Sequence, residues 1–154
     1  MKLIDFNFSY NNSISGVIGM CLLSGCIFHP SGAKFEKISP EEQWKKANIH
    51  SYEFLLRVNC FCTPETTGPH RILVRADTIF SVNGIPYGRI KSDGRFLTVP
   101  DLFLFIKESD ARNPFRKTVL YDSAYGFPTS IYYDFDKQIA DEEIGYLITE
   151  FRKN

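Results

Sequence analysis

Residues 50–62 constrain this chain more than any other stretch. Tyr52, Phe54, Leu56, Val58, Cys60 and Cys62 recur at every second position, with Ser51, Glu53, Arg57 and Asn59 among the residues between them. Six same-side positions in succession fit a strand with one buried face; a helix would scatter them around its axis. Such a strand belongs in an antiparallel sheet that is covered on one side and wet on the other. Residues 71–76 alternate again, with Ile72, Val74 and Ala76 against Arg71 and Arg75, so they pair back on the first strand as a hairpin. The connection, residues 63–69, reads as a polar loop. Residues 79–82 form a further short strand, and Asn83-Gly84 is a tight-turn dipeptide.

Two helices precede and follow these strands. Ser39 is a good cap, Pro40 suits a first helical position, and Glu42 completes a capping box. Trp44 and Ala47 share one face of that helix, so Trp44 either packs inward or stands out as a binding anchor. Thr98 and Asp101 open the second helix. Leu102, Phe103, Phe105 and Ile106 give it a broad apolar face to about Ser109, before Asn113-Pro114 breaks it. Residues 85–96, with Pro86, Gly88 and Gly94, read as a loop.

Residues 115–121 and 129–135 are apolar runs flanking a Gly-Pro turn. They predict a hairpin against which most of the fold packs. Ile144, Tyr146 and Ile148 alternate with Glu143, Gly145 and Thr149, which makes residues 142–151 a closing strand. The sum is an α+β domain: an antiparallel sheet of five to six strands with two helices packed on one face, in the order helix, strands, helix, strands.

Charge narrows the function classes. Eighteen Lys and Arg balance eighteen Asp and Glu over 154 residues, and no basic run exceeds two residues. The chain lacks the electrostatic drive that nucleic-acid binding requires.

The first 26 residues have another character. Residues 14–23 are apolar or small, roughly ten positions, too short to span a bilayer and right for the core of a signal peptide. They lead into Leu23-Ser24-Gly25-Cys26, which resembles the bacterial lipobox, with cleavage before a cysteine that then receives lipid. Lys2 is the sole basic residue of the first thirteen and is offset by Asp5. The other reading is therefore a buried first element of a cytosolic domain. The expected organisation is a lipoprotein signal peptide over residues 1–25, a tether over 26–37 and a single domain over 38–154. Cys26 is the lipidated residue, and Ile27 behind it points to the outer membrane if the cell is Gram-negative.

Within the body, Cys60 and Cys62 have only each other. On an extended strand their Cα atoms lie roughly 6.6 Å apart, just inside the reach of a disulfide. The pair reads as a strained disulfide, as reduced thiols in the core, or as a redox couple. Cys60, Cys62 and His70 together are a candidate site for a soft cation such as copper or zinc. His50, roughly 33 Å up the strand, cannot join them. Asp134, Asp136, Asp141, Glu142 and Glu143 form an acidic corner, to be read as a solvated turn or as the start of a calcium site. Tyr87, Tyr125 and Phe127, near turn tips, are candidate partner contacts; alternatively they fold back over the sheet. Lipase, zinc-protease and phosphate-loop motifs are missing, and no cofactor is implied. A hydrolase would need a pocket that gathers His50 or His70 with an acid and a nucleophile.

The chain also resembles an uncharacterised family of exported bacterial domains. The resemblance rests on Trp44, on Tyr52-Glu53-Phe54 leading to Cys60-Phe61-Cys62, on Thr98-Val99-Pro100-Asp101-Leu102-Phe103, on Tyr121-Asp122-Ser123-Ala124-Tyr125-Gly126-Phe127-Pro128, and on Ala140-Asp141-Glu142-Glu143-Ile144. It covers residues 44–151 and departs in a longer middle loop at 85–96. It implies export and an α+β fold, and implies no activity. The expectation is an envelope lipoprotein that binds another protein or stabilises an assembly. The alternative is a metal-binding or thiol-redox protein working through Cys60 and Cys62.

Overall fold

A computed structural model describes residues 38–91, 94–139 and 141–154. The expected leader and tether, and Cys26 with them, lie outside the described residues. The described elements are α1 (Pro40–Ala47), β1 (Tyr52–Cys60), α2 (Pro64–Thr67), β2 (His70–Arg75), β3 (Thr78–Val82) and β4 (Ile85–Pro86). A 3-10 turn (Tyr87–Arg89), α3 (Val99–Ala111), β5 (Arg116–Tyr121), β6 (Pro128–Asp134) and β7 (Ile144–Lys153) follow. The strands form one antiparallel sheet in the order β4-β3-β2-β1-β7-β6-β5.

The helices start where capping chemistry places them. The Ser39 hydroxyl accepts from Glu42 N–H, and the Glu42 carboxylate accepts from Ser39 N–H at 2.9 Å. Thr98 and Asp101 repeat this reciprocal pair at α3. Both helices have proline in the first turn, where its missing N–H costs nothing.

The sheet departs from the expected five to six strands and two helices. Asn83 (φ 51°) and Gly84 (φ 79°) are both left-handed, which gives a hairpin turn of the hand that strand twist favours. The chain therefore folds straight back and adds β4, with Val82 opposite Ile85, inside the stretch expected to be loop. Thr63 followed by Pro64 starts the single turn of α2 in the expected polar loop. The hairpin of β5 and β6 is not the organising element either. β5 is an edge strand, and the central position belongs to β1 between β2 and β7.

One face of this sheet carries the core. Tyr52, Phe54, Leu56 and Val58 of β1 lie beside Ile72 and Val74 of β2, Tyr146 and Ile148 of β7, and Ile131 and Tyr133 of β6, all buried. Both long helices cover that face. Trp44 of α1 meets Tyr52 edge-on at 5.4 Å, and Phe105 of α3 meets Tyr146 at 5.2 Å. Glu53, Leu55, Arg57, Leu73 and Leu147 point to the other face, which is open.

A bulge in β7 corrects a parity problem. Ile144, Tyr146 and Ile148 point inward, so strict alternation would bury Glu150 and expose Phe151. Instead Glu53 pairs with Arg152 and Leu55 with Thr149, and two residues, Glu150 and Phe151, oppose Phe54. Glu150 takes φ 52° and absorbs the extra residue. Phe151 thereby turns inward and stacks on Phe127 at 4.3 Å and on Tyr52 at 5.4 Å.

Candidate functional site

β1 runs out at Cys60, and the next two residues make the most distinctive local geometry of the chain. Cys62 N–H donates to Cys60 O at 2.8 Å, which draws the Cα atoms to 5.3 Å, and the two sulfurs are joined as a disulfide. The contraction below the extended-strand spacing answers the geometric difficulty of bridging two residues along one strand. With both sulfurs drawn to one side, Phe61 projects from the apex and is 82% exposed. On β7, Ile144 pairs with Cys60, so Glu143 is the next residue along and stands beside Phe61. Asn59, Cys60, Phe61 and Glu143 line a hollow of about 200 Å³.

His70 does not join the cysteines. Its partner across the hairpin is Leu56, four residues short of Cys60 and roughly 13 Å back along the strand. The ring is buried, and both nitrogens are engaged: Nε2 donates to Thr66 O at 3.2 Å, and Nδ1 accepts from Asn83 Nδ2 at 3.3 Å. Among the described residues, no three His, Cys, Asp or Glu side chains gather into a metal-ligand set. The soft-metal site at Cys60, Cys62 and His70 is thus corrected: the thiols are consumed by each other, and the imidazole is a structural link between β2, α2 and the Asn83 turn. The acidic corner does not converge either. Asp134 is buried in β6 with Oδ1 unpartnered, and Asp136 Oδ1 accepts from Gln138 N–H at 2.9 Å within its own turn.

Two hollows contain His50 and His70. A cavity of about 430 Å³ lies between α2 and the β3–β4 turn, lined by His70, Val82, Ile85, Ile90 and Phe96, with Glu65 and Lys91 at its rim. A smaller one of about 240 Å³ lies beside α1, lined by Trp44, Ile49, His50, Asp77, Pro100 and Phe103. In the second, His50 Nδ1 is 2.6 Å from Asp77 Oδ2, and Nε2 is 3.1 Å from Asn48 Oδ1. This is the histidine–acid half of a hydrolytic constellation. No Ser, Thr or Cys lines that hollow, so it lacks the group to be activated. His50 instead ties the end of α1 to the tip of the β2–β3 hairpin, where Asp77 N–H donates to His50 O at 2.9 Å.

The turn between β5 and β6 is built for packing. Asp122 accepts from Ala124 and Tyr125 N–H through Oδ1, and Asp122 N–H donates to Phe127 O at 2.8 Å. Gly126 has φ 79°, and a Cβ there would lie 2.3 Å from Pro40 O. The turn is thus pressed onto the start of α1, where Gln43 Nε2 donates to Ser123 O at 2.7 Å. Phe127 is 5% exposed and in the core, which corrects its reading as a partner contact: the close approach at Gly126 folds it under the turn. Tyr125 is half-buried, 6.1 Å from Phe151, and Tyr87 is half-buried against the core.

A family model matches residues 38–153, the whole of the described fold but for its last residue. The chain belongs to DUF6174, a family of unknown function. No curated protein and no solved structure matches the chain. The DUF6174 domain begins one residue before Ser39, the cap of α1, and leaves residues 1–37 outside it.

Two buried tyrosine hydroxyls stiffen the DUF6174 core. Tyr52 accepts from Val99 N–H at 2.9 Å and so satisfies one of the free donors at the start of α3. Burial, above all, pushes the Tyr52 hydroxyl pKa well up. Tyr133 donates to Asp110 Oδ1 at 2.8 Å, and burial again raises it most. Asp110 is held below the usual carboxylate range, first by Lys117 at 2.7 Å. These groups join helix to sheet; Asp110 also lines an open hollow of about 320 Å³ with Ser39, Lys107 and Tyr121. The feature that sequence reading missed is Phe61. It hides between two cysteines at an odd position just past the strand, where alternation is no longer a guide.

Proposed function

We propose that this DUF6174 chain is a bacterial envelope lipoprotein, anchored through Cys26 and working by binding rather than by catalysis. The observation that carries the reading is the run from Ile14 to Cys26: an apolar stretch of signal-core length ending in Leu23-Ser24-Gly25-Cys26. Two further observations agree with it. The family domain starts at residue 38, which leaves room for a leader and a short tether before the first capped helix. Bonded cysteines belong to oxidising compartments such as the periplasm and the cell surface. The binding role draws on His50 and His70, whose ring nitrogens are all occupied by structural partners.

The test is metabolic labelling with an alkyne fatty-acid analogue in a bacterial host. The native chain incorporates label and partitions with membranes. Cys26→Ala loses the label and retains its leader. Unlabelled native protein with intact Met1 in the soluble fraction would overturn the proposal. Three acyl chains give an anchor far stronger than a single chain, since each buried methylene contributes about 0.8 kcal/mol.

A further inference from the structure

Phe61 is the most exposed large apolar side chain among the described residues: 82%, against 57% for Leu120, the next. Its exposure is imposed by the backbone. The Cys60–Cys62 bond and the Cys62 N–H to Cys60 O hydrogen bond hold residues 60–62 in one tight turn, and Phe61 has no inward direction to take. A main chain already held in a tight turn has little backbone freedom left to lose on docking, which favours the ring it carries as an anchor.

The surroundings say what docks there. From residue 58 to 70, and again from 138 to 151, the sequence has no Lys or Arg. Asp141, Glu142 and Glu143 stand just ahead of Ile144, the partner of Cys60, and Glu143 lines the hollow beside the ring. None of the three has a salt bridge among the described residues; Glu142 keeps one oxygen buried, and Glu143 is hydrogen-bonded to the Tyr132 hydroxyl. Glu65, four residues beyond the ring, is discounted, because Lys91 shares the rim of its cavity. The Glu143 carboxylate beside the ring, with Asp141 exposed two residues before it, disfavours an anionic lipid surface at this point. It also repels a second copy of itself. It complements a surface on which Lys or Arg surrounds an apolar pocket.

The tip also lies away from the start of α1. Gly126 touches Pro40, and Ser130 pairs with Leu147, which pairs with Arg57. Counting along the strands, this puts the start of α1 about level with Glu53, seven residues or roughly 23 Å from Cys60. The start of α1 therefore lies near one pole of the sheet, and Phe61 marks the other.

We infer that the disulfide-held Phe61 apex, with Glu143 beside it, is the docking point for a protein partner that presents a pocket rimmed by basic residues. The inference rests on the lipoprotein reading only for the compartment where that partner is met. The experiment places the photoreactive residue p-benzoylphenylalanine at position 61 of the full chain in cells, with Leu104 on α3, 53% exposed, as the control position. Irradiation at position 61 is expected to give one discrete protein adduct, and at position 104 none. Mass spectrometry of the cross-linked peptide should find Lys or Arg flanking apolar residues. Asp141→Lys with Glu143→Lys should lower the adduct yield at least fivefold while leaving the melting temperature unchanged. Adducts with lipid, adducts with a second copy of this chain, equal adducts at 61 and 104, no adduct, or a yield indifferent to charge reversal would each overturn the inference. Fatty-acid labelling decides the anchor separately: loss of label with the adduct retained removes the lipoprotein and leaves the docking point standing.

Discussion

The Tyr52 hydroxyl stands between β1 and α3, accepting from Val99 N–H, and its ring touches Trp44 and Phe151. Tyr52→Phe keeps the ring and leaves a buried N–H without a partner. A loss of about 1–3 kcal/mol is expected at neutral pH, read by denaturant titration. The pH dependence follows from the raised pKa. A hydroxyl whose folded pKa lies above its unfolded value near 10 contributes stability below pH 10 and loses it as pH rises toward the folded value. The native chain should therefore weaken above about pH 10, and the gap to Tyr52→Phe should narrow there. Glycines give a second test at this scale. Gly84 and Gly126 share φ near 79–80°, but only Gly126 faces backbone within 4 Å. Gly84→Ala measures backbone strain alone, about 1 kcal/mol. Gly126→Ala adds the collision with Pro40 O and should cost clearly more, with an unchanged denaturant slope.

At the scale of elements, the bulge in β7 decides the packing of three others, because Phe151 meets Trp44, Tyr52 and Phe127. Phe151→Ala removes these ring contacts at an expected cost of roughly 3 kcal/mol, the lower end for truncating a core aromatic because Phe151 is only partly buried. Glu150→Gly keeps the extra residue in a conformation glycine accepts readily and should change stability far less; thermal melts of both variants decide it. This bulge also marks where reading the sequence reaches its end. The capped helices and the alternating strands were legible because Ser39, Thr98 and the Tyr52 to Val58 series act through neighbours one to four residues away. Phe151 was illegible because its inward turn depends on Phe54, nearly a hundred residues earlier in the chain. β4 was missed for another reason: two residues are too few to alternate. The candidate site was half legible. The proximity of Cys60 and Cys62 follows from spacing, but the distance of His70 from them depends on hairpin register, and the burial of Phe127 depends on α1 arriving at Gly126.

For the whole molecule, the covalent link and the core differ in weight. A disulfide closing a loop of three residues restrains little of the unfolded chain, about 1–2 kcal/mol by the loop-entropy relation. Cys60→Ser with Cys62→Ser should cost about that much. Trp44→Ala, which empties the meeting place of α1, β1, β7 and the Gly126 turn, should cost about 3–5 kcal/mol. Urea titration of the two variants separates a bond that shapes a tip from a ring that holds the body together. The margins of the sheet have a consequence of their own. β4 ends after two residues in Pro86, which has no N–H to offer, and β5 carries Arg116 and Lys117 and loses its regular register after Leu120. Each rim is a poor template for a neighbour's backbone. Molecules crowded together would jostle without zipping into fibres, so a high local density becomes tolerable.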